Sequence, residues 1–147
     1  MLSLIKLGDA YRYAGHSDRA LAWHESALRI GTDTIDARYV GSTWVYNYMP
    51  IAPGDRETIK RFVQVDDLKQ KQAVAVYALS FDHAVLGEFS KADSLFLRGV
   101  ALENNSAFRL FFANKIEAIE NSLQMQPAQQ SWFQQHRLWL QAPPTLQ

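Results

Sequence analysis

The chain has 147 residues, 15 Lys and Arg against 15 Asp and Glu, and no cysteine. Its length fits one domain that can bury a core without metals or disulfides, and the missing thiols exclude disulfides and thiolate metal centres. Balanced charge with no like-signed block predicts no nucleic-acid partner and no anionic membrane surface.

The first residues hold Lys6 and no long apolar run, which argues against a signal peptide or membrane anchor and makes the cytoplasm the expected compartment. Leu2, Leu4, Ile5 and Leu7 leave this end apolar and uncapped, so the chain is expected to be the end of a longer helical array or a piece of a larger protein.

The first helix is predicted over about Leu2–Ala14, closed by Gly15, and the second from Ser17 or Asp18 to about Ile30. They carry Leu7-Gly8-x-x-Tyr11, Gly15, Ala20-x-x-x-His24 and Ala27. Gly8, Ala20 and Ala27 let two helix backbones approach, with Tyr11 filling the gap beside them. At a constant offset of 72 residues, seven positions repeat these steps: Leu79, Ser80, His83, Gly87, Ala92, Phe96 and Gly99. A second copy is therefore expected as helices at about Ala73–Leu86 and Phe89–Leu102.

Val40-Gly41-x-x-Trp44 and Thr58-x-x-x-Phe62-x-x-Val65 give a weaker copy between them, with an insertion at Met49–Asp55, where two prolines and a glycine forbid helix. Its end is predicted near Gln70–Gln72 by the repeat phase, with Asp66-Asp67 as an alternative boundary. Beyond Asn105, Phe108, Phe111, Phe112, Ile116, Ile119 and Leu123 form the apolar stripe of a seventh helix. Pro127 opens an eighth to about Leu140, carrying Trp132, Phe133, His136 and Trp139. Pro143-Pro144 ends structure and leaves 143–147 as a disordered tail.

The spacing resembles the tetratricopeptide family, whose helix–turn–helix repeat of about 34 residues carries L-G-x-x-Y and A-x-x-x-F motifs. The resemblance implies an all-α fold, a right-handed α-solenoid of about eight antiparallel helices. Three tetratricopeptide-like pairs (about 1–33, 34–72 and 73–105) are followed by a closing pair (106–142) in one domain, 1–142. It implies a concave groove lined by the first helix of each pair, holding a partner peptide. The groove residues carried over are Lys6, Asp9, Arg12 and Tyr13, then Arg38, Tyr39, Ser42 and Tyr46, then Tyr77 and Phe81, about half of them expected to be core. Family members that clamp acidic chaperone tails use cationic and amide side chains in this groove. Here Ile5, Asp9, Tyr39, Val74 and Ala78 stand there, which argues for an apolar or amphipathic peptide instead.

His24 and His83 occupy aromatic slots of the repeat and read as packed rings, and His16 lies in a turn. No histidine spacing suits a metal, no catalytic or phosphate-binding motif is present, and no cofactor is expected. The expected role is a non-catalytic protein-interaction module within a larger regulatory protein. The alternatives are a homo-oligomerising scaffold, meeting its twin through the N-terminal end or the C-terminal helix, and a small chaperone for an apolar segment.

Overall fold

The computed structural model describes residues 2–33, 68–103 and 106–142. Among these residues there are six helices and no strand: α1 (Leu2–Tyr13), α2 (Ser17–Asp33), α3 (Leu68–Val85), α4 (Phe89–Leu102), α5 (Ser106–Ser122) and α6 (Pro127–Gln141). The expected middle pair, the Met49–Asp55 insertion and the 143–147 tail lie outside the described residues.

α1 and α3 end alike. Gly15 has φ +86°, with His16 N–H donating to the Tyr11 carbonyl at 2.9 Å and Gly15 N–H to the Arg12 carbonyl at 3.0 Å. Gly87 has φ +80°, with Glu88 N–H donating to His83 at 2.8 Å and Gly87 N–H to Ala84 at 3.1 Å. Both close with the paired 6→1 and 5→2 bonds of a left-handed glycine stop. The 72-residue offset is thus matched in backbone geometry.

One boundary differs from the sequence expectation. α3 begins at Leu68 rather than Ala73 and runs unbroken through Gln70–Gln72, where the repeat phase puts a turn. Lys69–Gln72 contains only good helix formers, so nothing there stops the helix. The start falls directly after Asp66-Asp67, the alternative boundary.

α3 is the organising element. Its middle, Ala73–Ala84, is almost wholly buried, and it packs against α4, α2, α1 and α6. Residues Ala73–Phe81 are apolar around most of the helix, the pattern of a helix enclosed on every side. The main core joins Tyr77, Phe81 and Ala84 of α3 to Phe96 of α4, Phe112, Ile116 and Ile119 of α5, and Trp132, Phe133 and Leu140 of α6. Tyr77 stacks on Phe112 with ring centroids 4.0 Å apart and meets Phe96 edge-on at 5.4 Å. A smaller cluster of Ile5, Ala27 and Ala75 joins the first pair to α3, with Val74 packed against both clusters.

The small residues act as the spacing predicts. A Cβ on Gly8 would lie 2.4 Å from His24 Nε2, so only glycine admits that ring. Tyr11 stacks on Trp23 with centroids 6.4 Å apart. In the second copy, Ser80 in the Gly8 place donates from Oγ to the Ala92 carbonyl at 2.7 Å. Ile5 against Ala27 becomes Tyr77 against Gly99, where a Cβ would stand 2.9 Å from the Tyr77 ring.

α5 and α6 close the core. Gln129 Oε1 accepts from Gln126 N–H at 2.7 Å, and Gln129 Nε2 donates to the Val85 carbonyl at 2.6 Å, fixing the start of α6 on the end of α3. Buried Arg109 donates to the Trp139 carbonyl at 2.5 Å and lies over that indole, its guanidinium carbon 4.1 Å from the ring centroid. That places a cation at the negative end of α6. Trp132, buried, donates Nε1–H to Asp93 at 2.8 Å.

Candidate functional site

The most concentrated chemistry lies where α1, α2, α3 and α5 converge. Asp82, in the largely apolar middle of α3, is fully buried. Arg12 on α1 donates Nε–H to Asp82 Oδ1 at 2.7 Å and an Nη2 proton to the Ala78 carbonyl at 3.0 Å. His24 on α2 meets Asp82 Oδ2 through Nδ1. Its Nε2 faces both Asp9 Oδ1 and the Ile5 carbonyl, each at 3.1 Å. Asp9 Oδ1 lies 3.4 Å from Arg12 Nη1, and Asp9 Oδ2 accepts from Lys115 Nζ on α5 at 2.9 Å. Four helices are joined by five charged or chargeable side chains.

Burial works against the charge on Asp9, but His24, Arg12 and Lys115 outweigh it and hold its carboxyl down at about 2. Burial likewise works against a charged His24, yet the hydrogen bonds of Asp82 and then Asp9 raise its pKa above 6.5. A buried pair of this kind is costly to desolvate and costly to break, so it specifies which helices meet more than it adds net stability.

Beside this cluster opens a pit of about 10 Å³, lined by Ile5, Asp9 and Arg12 of α1, Val74, Ala78 and Phe81 of α3, and Phe112 and Lys115 of α5. That is about the volume one water needs. Ile5, Asp9, Val74 and Ala78, the described positions set against the acidic-tail clamp, all line it. The Asp9–Lys115 ion pair lies at its edge, with the lysine side chain the more exposed of the two.

The expected groove residues divide. Lys6 is exposed, Tyr13 half-buried and Asp9 nearly buried. Arg12, Tyr77 and Phe81 are about 1% exposed, so their rings and guanidinium are core rather than contact surface. Arg38, Tyr39, Ser42 and Tyr46 lie outside the described residues. His24 is packed, as its aromatic slot suggests, but it is also the hub of the ion cluster. Asp82 and Lys115 were not anticipated. Asp82 carried a signal: a carboxylate amid apolar residues of a long helix needs a buried partner.

Other features are modest. A groove of about 290 Å³ runs between α4 and α6, lined by Phe96, Leu97, Gln135, His136 and Trp139. Leu97 is 67% exposed there, and Leu110, Phe111 and Leu138 are also exposed. Among the described residues, no group of histidine, aspartate and glutamate side chains is arranged to hold a metal, and no helix is long and apolar enough to cross a membrane. Where Asp9, Asp82 and His24 converge, Arg12 supplies the countercharge. Comparison with known proteins returns no matching family model, no matching curated protein and no matching solved structure.

Proposed function

We propose that the chain is a non-catalytic, tetratricopeptide-like scaffold that holds a partner peptide or helix on the face shared by α1, α3 and α5. In this reading the described helices belong to a right-handed solenoid, a cytoplasmic module of a larger regulatory protein. The observation that carries it is the pit. The first helices of the three described pairs supply all its walls, its floor is apolar, and its rim holds a half-buried ammonium paired with a carboxylate. An amphipathic segment could seat one small apolar side chain in such a pit and place polar groups along the Asp9–Lys115 edge.

The test is a peptide selected from a randomised display library on the folded chain, with affinity read by fluorescence anisotropy. Val74→Ala and Lys115→Ala are expected to weaken binding by roughly 5–30-fold, or 1–2 kcal/mol. Leu138→Ala on α6 should leave it unchanged. Loss with Leu138→Ala, and none with the other two, would move the site off this face.

A further inference from the structure

His24 has no oxygen-free side. Nδ1 points at the Asp82 carboxylate, and Nε2 at the Asp9 carboxylate and the Ile5 carbonyl. With both carboxylates ionised, all three partners accept hydrogen bonds and none donates. A neutral imidazole carries one N–H, so either tautomer would aim a lone pair at a carboxylate inside the protein. Only the doubly protonated ring satisfies both sides.

We propose that His24 is a proton-dependent clasp: as an imidazolium it holds the α1–α2 pair on α3, and loss of one ring proton releases that pair.

The charges facing it come from each neighbouring element. α1 presents Asp9 and Arg12, and α3 presents Asp82. α5 reaches the cluster through Lys115, which bonds Asp9. With the ring charged, two carboxylates meet three cations, and every cation donates to a carboxylate. With the ring neutral, either the fully enclosed Asp82 or the mostly buried Asp9 loses a donor. The ring itself is fully buried beside Gly8, with no edge open to solvent.

The direction follows from linkage. The folded-state pKa lies above the ordinary 6.5. The stabilisation is fully present below 6.5 and is lost as pH rises through the folded value. Within that window the equilibrium for opening α1–α2 should rise up to about tenfold per pH unit, since one proton is released on opening. His16 is exposed and outside the cluster, so it serves as an internal control.

Two measurements test the clasp. The first is a nitrogen-15 NMR titration of the wild-type histidine rings. His24 should show both ring nitrogens protonated at pH 7, with the exposed His16 ring giving the reference signal in the same spectrum. A His24 signal from a single neutral tautomer at pH 7 would overturn the proposal. The second is hydrogen exchange, corrected for intrinsic rates, on wild type and His24→Gln across pH 6.5–9.5. Protection of α1 and α2 should fall with pH in wild type relative to α5, and this excess slope should vanish in the variant. Equal slopes in both proteins would refute the release. Should His24→Gln fail to fold, the wild-type ring titration still decides the protonation state on which the clasp depends.

Discussion

Gly8→Ala is the sharpest test of how the first helix pair is held. In an exposed helix interior this change stabilises by about 1 kcal/mol, because alanine restricts the unfolded backbone and suits a helix. Here the added methyl would stand 2.4, 2.6 and 2.9 Å from three atoms of the His24 ring. Those atoms belong to no flexible tip. The ring is fully buried and tied at both nitrogens. Overpacking a core costs about 1–3 kcal/mol. Pushing the ring off its carboxylates adds about 1.5–3 kcal/mol for each charged hydrogen bond weakened. With one such bond weakened and the propensity gain subtracted, the net is a loss of about 1.5–5 kcal/mol. For a chain of this length that lowers Tm by roughly 3–20 °C. Urea denaturation followed by circular dichroism would read it as a lower midpoint at an unchanged slope. In a His24→Ala background the obstacle is gone, and the same Gly8→Ala change should stabilise by up to about 1 kcal/mol. A wild-type background in which Gly8→Ala stabilises, or a double mutant with no change of sign, would refute the packing argument.

Asp82→Asn, which leaves Arg12 and His24 facing a neutral group, should cost about 3–5 kcal/mol in the same urea assay. Arg137→Ala, which breaks the Arg137–Glu120 pair at 2.6 Å between side chains each 23% exposed, should cost no more than about 1 kcal/mol. Acid should act through Asp9. Its carboxyl is depressed from the ordinary 3.8 to about 2, so its contribution is present above 3.8 and lost as pH falls through about 2, and wild-type stability should drop more steeply than that of Asp9→Asn over that range. Gly99→Ala should cost about 1–3 kcal/mol through the Tyr77 ring, and Tyr77→Leu in the same chain should recover part of the loss in thermal melts.

Much of the fold was legible because it rests on local signals. Gly15 and Gly87 marked helix ends that need positive φ, and the apolar stripes of α5 and α6 set the faces they bury. The start of α3 was misplaced because repeat phase is a long-range inference, and the local sequence Lys69–Gln72 simply favours helix. The groove was only partly legible. Periodicity says which residues share a helix face, but not how deeply neighbouring helices bury that face. Tyr77 and Phe81 therefore looked like contact residues and are core. The ion cluster was the least legible, since Arg12 and Asp82 lie 70 residues apart and His24 and Asp82 lie 58 apart. Only the isolation of Asp82 within an apolar helix hinted that distant charges must come to it.

The exchange of Ile5 and Ala27 for Tyr77 and Gly99 bears on any attempt to regularise the chain. Engineers often average the copies of a repeat and install the commonest residue at each position. Here the averaged unit would be worse than either parent. Tyrosine with alanine collides, and isoleucine with glycine leaves a void. His24 likewise depends on Gly8, where a Cβ would lie 2.4 Å from the ring. The two helix pairs thus differ at these positions in matched combinations. A chimera of this chain should therefore exchange whole pairs of positions, never single ones.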